Sequence, residues 1–146
     1  MQKRSYYILA LIIILLAIGI WFYTANRTTS LEDAAWKGVN SDTITSIDIE
    51  KGQENKVTLT DKEEIEKIMS SLSDIDVKET STISKDISET YTVFVFVADK
   101  RKLGMFLYDN KYVEVYDYEA TPKKNSSMKY EISNNYDMKV IQDYFE

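Results

Sequence analysis

The spacing of apolar and polar positions changes several times along this chain, and each change marks an element. From Tyr6 to Tyr23 the run is unbroken, uncharged and dominated by Ile, Leu and Ala. At about 1.5 Å of rise per residue, a helix of that length reaches roughly 27 Å, close to the ~30 Å hydrocarbon core of a bilayer. The pattern predicts a transmembrane helix over residues 6–23, preceded by a short N-terminus, residues 1–5. Residues 24–41 are polar without a clear period and read as a juxtamembrane spacer, with at most a helical turn around Leu31 to Trp36. The folded domain is then residues 42–146.

Within that domain, Thr43 to Glu50 alternates β-branched and polar residues and sets Ile44 apart from Ile47 and Ile49. A turn at Lys51-Gly52-Gln53-Glu54-Asn55 leads to a second strand over Lys56 to Thr60, which makes a hairpin. Thr60 with Glu63 three residues later is a capping box, and Ile65, Ile68, Met69, Leu72 and Ile75 recur at helical spacing. A strand follows over Asp76 to Thr80, then a Ser/Thr-rich loop over Ser81 to Glu89. Tyr91 to Ala98 is apolar on both alternating faces and predicts a strand interior to the sheet. Asp99 to Lys102 reads as its turn, and Leu103 to Tyr108 with Tyr112 to Tyr118 as the next hairpin. A three-residue turn at Asp109-Asn110-Lys111 sets Leu103, Met105, Leu107, Val113 and Val115 on one face; a two-residue turn would set Leu107 opposite Glu114, so the first register is expected. Ala120 to Ser127 reads as a loop and Lys129 to Ser133 as a strand. Asn134 or Asn135 is the expected cap of a last helix carrying Tyr136, Val140, Ile141, Tyr144 and Phe145 on one stripe. The order β-β-α-β-β-β-β-β-α predicts an α+β domain, an antiparallel sheet with two helices packed on it.

The first segment reads as an uncleaved anchor. A secretory signal has a shorter apolar region, about 7 to 15 residues, ending in a small-x-small cleavage site. Here the nearest Ala after the run, Ala25, has Tyr23 two residues before it, and cleavage after Gly19 would leave Ile20-Trp21-Phe22-Tyr23 as a new terminus. Trp21, Phe22 and Tyr23 at one end and Tyr6 and Tyr7 at the other suit the two headgroup layers. Lys3 and Arg4 precede the run and only Arg27 closely follows it, so the positive-inside bias predicts a single-pass protein of the cell membrane with a cytoplasmic N-terminus and the domain outside.

Charge and missing residue types narrow the function. Of the 18 basic residues, Lys3, Arg4 and Arg27 precede Leu31, which leaves the 24 acidic residues in excess by nine over the rest of the chain. Nucleic-acid binding needs a basic surface and is not expected. With no His and no Cys, His-based triads, Cys nucleophiles and ordinary zinc, copper and iron sites are excluded, and stability outside the cell rests on packing rather than disulfides. No Gly-rich phosphate loop and no Asp-x-Asp-x-Asp-Gly calcium loop is present; no cofactor or metal is expected. Glu114, Asp117 and Glu119 are the carboxylates from which a glycoside-hydrolysing pair would be drawn, but alternation sets Glu114 and Asp117 on opposite faces. Ser84 and Lys85, adjacent in a loop, have no fixed mutual geometry for a nucleophile and its base. The chain reads as a non-enzyme. Lys100 to Lys102 and Lys123-Lys124 read as solvated turn charge.

The unusual feature is aromatic. Of 11 Tyr residues, four crowd into one hairpin, and in the expected register Phe106, Tyr108, Tyr112, Tyr116 and Tyr118 share the face opposite Leu107 and Val113. Tyr offers large, half-polar contact area at small entropic cost, which suits a binding surface; the alternative is that the rings cover the outer side of the sheet against a loop or the second helix. These five are the candidate partner-binding residues.

In architecture alone, the basic start, single apolar helix and acidic α+β domain resemble small membrane-anchored or lipid-anchored extracytoplasmic proteins of low-GC Gram-positive bacteria. No residue motif carries that resemblance. It implies a membrane-tethered binding module facing outward, with membrane lipid contacted through residues 6–23 and a protein or peptide as partner; some such proteins protect the producing cell against a bacteriocin or exclude a competing mobile element. A structural or accessory subunit of a membrane complex is the second reading, and a wall-active carboxylate hydrolase the third.

Overall fold

The structure, a computed structural model, describes residues 2–25, 27–53, 55–123 and 126–146, with side chains from Tyr6 onward. Met1 and the side chains of Lys3 and Arg4, on which the orientation rests, lie outside the described residues, as do Glu54 in the first turn and Lys124 and Asn125 in the loop after Tyr118. The apolar run forms helix α1 (Gln2–Ala25). Its segment Tyr6–Ala25 has a mean hydropathy of 2.6 and none of it is buried within the protein. A helix apolar on all sides and uncovered by its own chain is long and apolar enough to cross a membrane.

The rest of the chain folds around an antiparallel sheet of eight strands: β1 (Thr29–Ser30), β2 (Ile44–Lys51), β3 (Asn55–Leu59), β4 (Asp76–Glu79), β5 (Thr90–Val97), β6 (Lys100–Tyr108), β7 (Tyr112–Asp117) and β8 (Ser127–Ile132). Their spatial order is β1-β4-β8-β7-β6-β5-β2-β3. The fold is α+β, as the sequence predicts. In the central hairpin Leu107 pairs with Val113 and Tyr108 with Tyr112, the three-residue register, with Asp109 and Asn110 at φ of 50° and 54°. Asp and Asn tolerate this left-handed region better than other residues with a Cβ.

One face of the sheet is the core. Ile47, Ile49, Tyr91, Val93, Val95, Met105, Leu107, Val113 and Val115 are fully buried there, under helix α2 (Lys62–Ser73), whose stripe Ile65, Ile68, Met69 and Leu72 faces them. The cap of α2 is Asp61 rather than Thr60: its Oδ1 accepts the N–H groups of Glu63 at 2.9 Å and Glu64 at 3.2 Å, which satisfies two of the free donors of the first turn. Alternation alone sets Ile44 away from Ile47 and Ile49. The register shift between Ile44 and Ser46 returns it to the core, where it is 5 % exposed.

Two boundaries differ from expectation. Residues 29–41 are not a spacer: β1 pairs with β4, Leu31 donates its N–H to the Ile75 carbonyl at 2.7 Å, and Leu31 and Trp36 are buried in the core. Between them lies one π-helical turn, Glu32–Trp36. The domain therefore begins at Thr29 instead of Asp42. The last helix is also shorter than predicted, and Asn134 does not cap it. Its side chain accepts the Asp76 N–H at 3.2 Å and donates to the Asp74 carbonyl at 2.7 Å, tying residues 133–136 to the corner after α2. Asp137 Oδ1 accepts the Lys139 N–H, and the helix is α3 (Lys139–Gln142), followed by a 3-10 turn at Asp143–Phe145. The stripe itself is as read, with Ile141 fully buried and Tyr136, Val140, Tyr144 and Phe145 packed on the core.

Candidate functional site

The second face of the sheet carries the residues that alternate with the core. Cross-strand pairing sets Asp48, Phe94, Gly104, Tyr116 and Ser127 in one row, and Glu50, Thr92, Phe106, Glu114 and Lys129 in the next. Tyr108 pairs with Tyr112 in a third row. All five tyrosine-hairpin candidates stand on this face, opposite Leu107 and Val113, and all keep part of their surface exposed, Tyr118 the most at 40 %.

The face has two halves, and topology separates them. Strands β4 and β5 run parallel, so residues 80–89 are a crossover; β3 and β4 also run parallel, joined through α2 in the opposite direction across the sheet. Right-handed crossovers in opposite directions lie on opposite faces, which puts the 80–89 strap on the face away from α2. Ile83 and Ile87 are accordingly half-buried without belonging to the core. The strap leaves β4 where Thr80 donates to the Lys129 carbonyl at 2.9 Å and ends at the hairpin tip. There Asp109 accepts the N–H of Ser88 at 2.8 Å, its hydroxyl at 2.8 Å and the N–H of Glu89 at 2.7 Å. Tyr108 and Tyr112 belong to this strapped half. Burial first, then the charge and hydrogen bond of Glu114, push the Tyr108 phenol above its ordinary value.

The backbone N–H of Ser88, ahead of the Ser88 hydroxyl and the Glu89 N–H, holds the Asp109 carboxyl below its ordinary value against partial desolvation. A carboxylate with a lowered folded value contributes fully above the ordinary value of about 4 and loses its contribution as pH falls through the lowered one. Hydrogen-exchange protection of the Ser88 and Glu89 amides, corrected for intrinsic rates, is therefore expected to be constant from neutral pH down to about 4 and to fall only below it. Asp109→Ala should remove that protection at pH 7; unchanged protection in this variant would show that the clip does not hold the strap.

The other half lies toward the β5–β6 turn. That turn is Ala98-Asp99, with Val97 paired to Lys100, so Lys100 to Lys102 belong to β6 rather than to the turn predicted for them. Both turn residues have positive φ, 49° and 62°, and nothing about Ala98 announces it. A bulge between the Val95–Leu103 and Phe96–Arg101 pairs makes Lys102 the extra residue and re-aims Arg101 onto the aromatic face. Its guanidinium carbon lies 3.9 Å from the Phe94 ring centroid, 5.6 Å from Phe96 and 5.5 Å from Tyr118. Phe94 also meets Phe106 edge-on at 6.1 Å, and Tyr116 meets Tyr118 at 4.7 Å. Gly104 makes this stacking possible: a Cβ there would come within 3.2 Å of Phe94 and 3.4 Å of Tyr118.

Asp48 is the buried acid of the cluster, 6 % exposed. Burial alone would raise its carboxyl, but Lys56 at 2.7 Å, the Thr58 hydroxyl at 2.7 Å and the charges of Lys56 and Arg101 outweigh it and leave it below its ordinary value. The other carboxylates have structural partners. Glu114 accepts from the Ser127 hydroxyl at 2.5 Å, Asp117 from the Glu119 N–H at 2.8 Å, and Glu119 pairs with Lys102. The hairpin register keeps Glu114 and Asp117 on opposite faces. Sequence reading missed Arg101 and Phe94, because a bulge leaves no local signature in composition.

An antiparallel sheet, helix-covered on one side and aromatic on the other, defines a small α+β domain, preceded by one helix long and apolar enough to cross a membrane. The chain belongs to the DUF5301 family: that family's model, described as "Domain of unknown function (DUF5300)", matches residues 34–123. The match includes β2 through β7, the strap and the aromatic cluster. No curated protein matches the chain, and no solved structure does.

Proposed function

We propose that this protein is a non-enzymatic, membrane-tethered module that binds a protein or peptide through the aromatic face of its sheet. The N-terminus is cytoplasmic and the domain extracytoplasmic, as the charges of Lys3 and Arg4 before the helix favour. The observation that carries the reading is the Arg101 half of the face: rings and a guanidinium, the side chains that dominate binding interfaces, stand together, and no helix of the described residues packs on them. Tethering adds local concentration, so modest affinity suffices. Protection of the producing cell or exclusion of a mobile element is the specific form this activity takes, and a neighbouring toxin or conjugation gene marks it.

The test uses intact cells. A photo-crosslinking residue at position 118 is expected to give a discrete adduct that is lost in Tyr116→Ala, while the same residue at position 67, on the outer face of α2, gives none. Added protease should digest the domain on intact protoplasts. Equal labelling from both positions, or a fully protected domain, removes the proposal.

A further inference from the structure

The chemistry of the cluster narrows the partner. We infer that Arg101 is the receptor for an acidic side chain, Asp or Glu, within an extended peptide segment of that partner; the inference rests on the aromatic face being the binding surface. The guanidinium carbon lies over the Phe94 ring, 3.9 Å from its centroid, and is flanked by Phe96 and Tyr118. The five N–H donors of Arg lie in the guanidinium plane, so stacking engages its face and leaves its edges free for a two-pronged carboxylate. Among the described residues those edges have one long contact, NH1 to the Tyr118 hydroxyl at 3.5 Å, and no carboxylate within 4.0 Å.

That vacancy is notable in a chain with 24 acidic residues against 18 basic ones. Asp48, whose carboxyl feels the charge of Arg101, has both oxygens engaged, by Lys56 and by Thr58. Lys102, the neighbour displaced by the bulge, is paired with Glu119. Arg101 is thus a fork set among rings, with no acid among the described residues close enough to pair with it. Tyr118, Tyr116 and Phe96 around it offer apolar surface for the residues flanking the carboxylate. Because the domain as a whole is acidic, its long-range field does not draw an acidic segment in. Recognition is local, and the association rate gains nothing from low salt.

The experiment is a selection of dodecapeptides from a phage-displayed random library, with their C-termini fused and hence blocked, on the full-length chain in lipid nanodiscs. Selected peptides are expected to share an Asp or Glu beside an aromatic or large aliphatic residue. Replacing that acid by its amide should weaken binding at least tenfold, a readout independent of any change in the protein. Arg101→Gln and Arg101→Lys should each do the same with melting temperatures unchanged, and Lys100→Gln should not. Peptides without a shared acid, or binding retained in Arg101→Lys, overturn the fork. If binding then still falls in Tyr116→Ala, the aromatic-face reading stands alone; if neither Arg101 nor Tyr116 matters, both fall.

Discussion

Truncating Leu31 or Trp36 to Ala in the full chain is expected to lower stability by about 2–5 and about 3–5 kcal/mol, respectively, the range for large core side chains. Both precede the segment that reads as the folded domain in sequence, yet Leu31 is 0 % and Trp36 5 % exposed. The cost has two parts. Removing the side chain forfeits its transfer out of water, and the surrounding core relaxes only partly into the cavity left behind. Denaturant unfolding of the detergent-solubilised chain, followed by far-UV circular dichroism, measures it. Variants within about 0.5 kcal/mol of the parent, the range of ordinary surface changes, would mean that residues 29–36 are a spacer after all.

Leu72→Ala is the second large effect, again about 2–5 kcal/mol. Leu72 and Ile68 are both 0 % exposed on the stripe that α2 lays over the sheet, whereas Lys67 points to solvent. Lys67→Ala should change stability by less than about 0.5 kcal/mol. The contrast within one helix separates packing from helix propensity, since Ala is the better helix former in both cases and propensity alone predicts a slight gain. Equal destabilisation by the two substitutions would place the stripe on the wrong side.

The elements that the sequence reveals are those in which one period runs uninterrupted. The Ile65-Ile68-Met69-Leu72 stripe and the Val93-Val95 alternation each repeat often enough to fix a face, and the hairpin at Asp109 has turn residues suited to positive φ. Where the period breaks, reading fails for local reasons. Ile44 and Arg101 each lie beside a bulge, which inverts the face assignment of whatever follows. Leu31 and Trp36 are single apolar residues in a polar stretch, too few to show a period, and only the long-range pairing of β1 with β4 makes them core. Asn134 looks like a cap in sequence, but the corner it binds belongs to residues some sixty positions earlier. The candidate face was half legible for the same reason: alternation aligns the five rings, while the clip of the strap to Asp109, next to Tyr108, and the guanidinium beside Tyr118 depend on contacts between distant segments.

The sheet edge that follows the apolar helix sets a reach. Four peptide steps separate Ala25 from Thr29, at most about 14 Å of extended chain. From β1 the strand order places β6 four strands and β5 five strands away, roughly 19–24 Å at the usual inter-strand spacing. Along the strands Arg101 lies about seven rows from the level of Thr29, roughly 23 Å more, so in a membrane-anchored chain it would stay within roughly 50 Å of the bilayer however the domain turns. On the proposed reading, a freely diffusing ligand must enter that layer, whereas a partner embedded in the same membrane would meet Arg101 by lateral diffusion alone, provided its acidic segment projects no farther than that from the lipid.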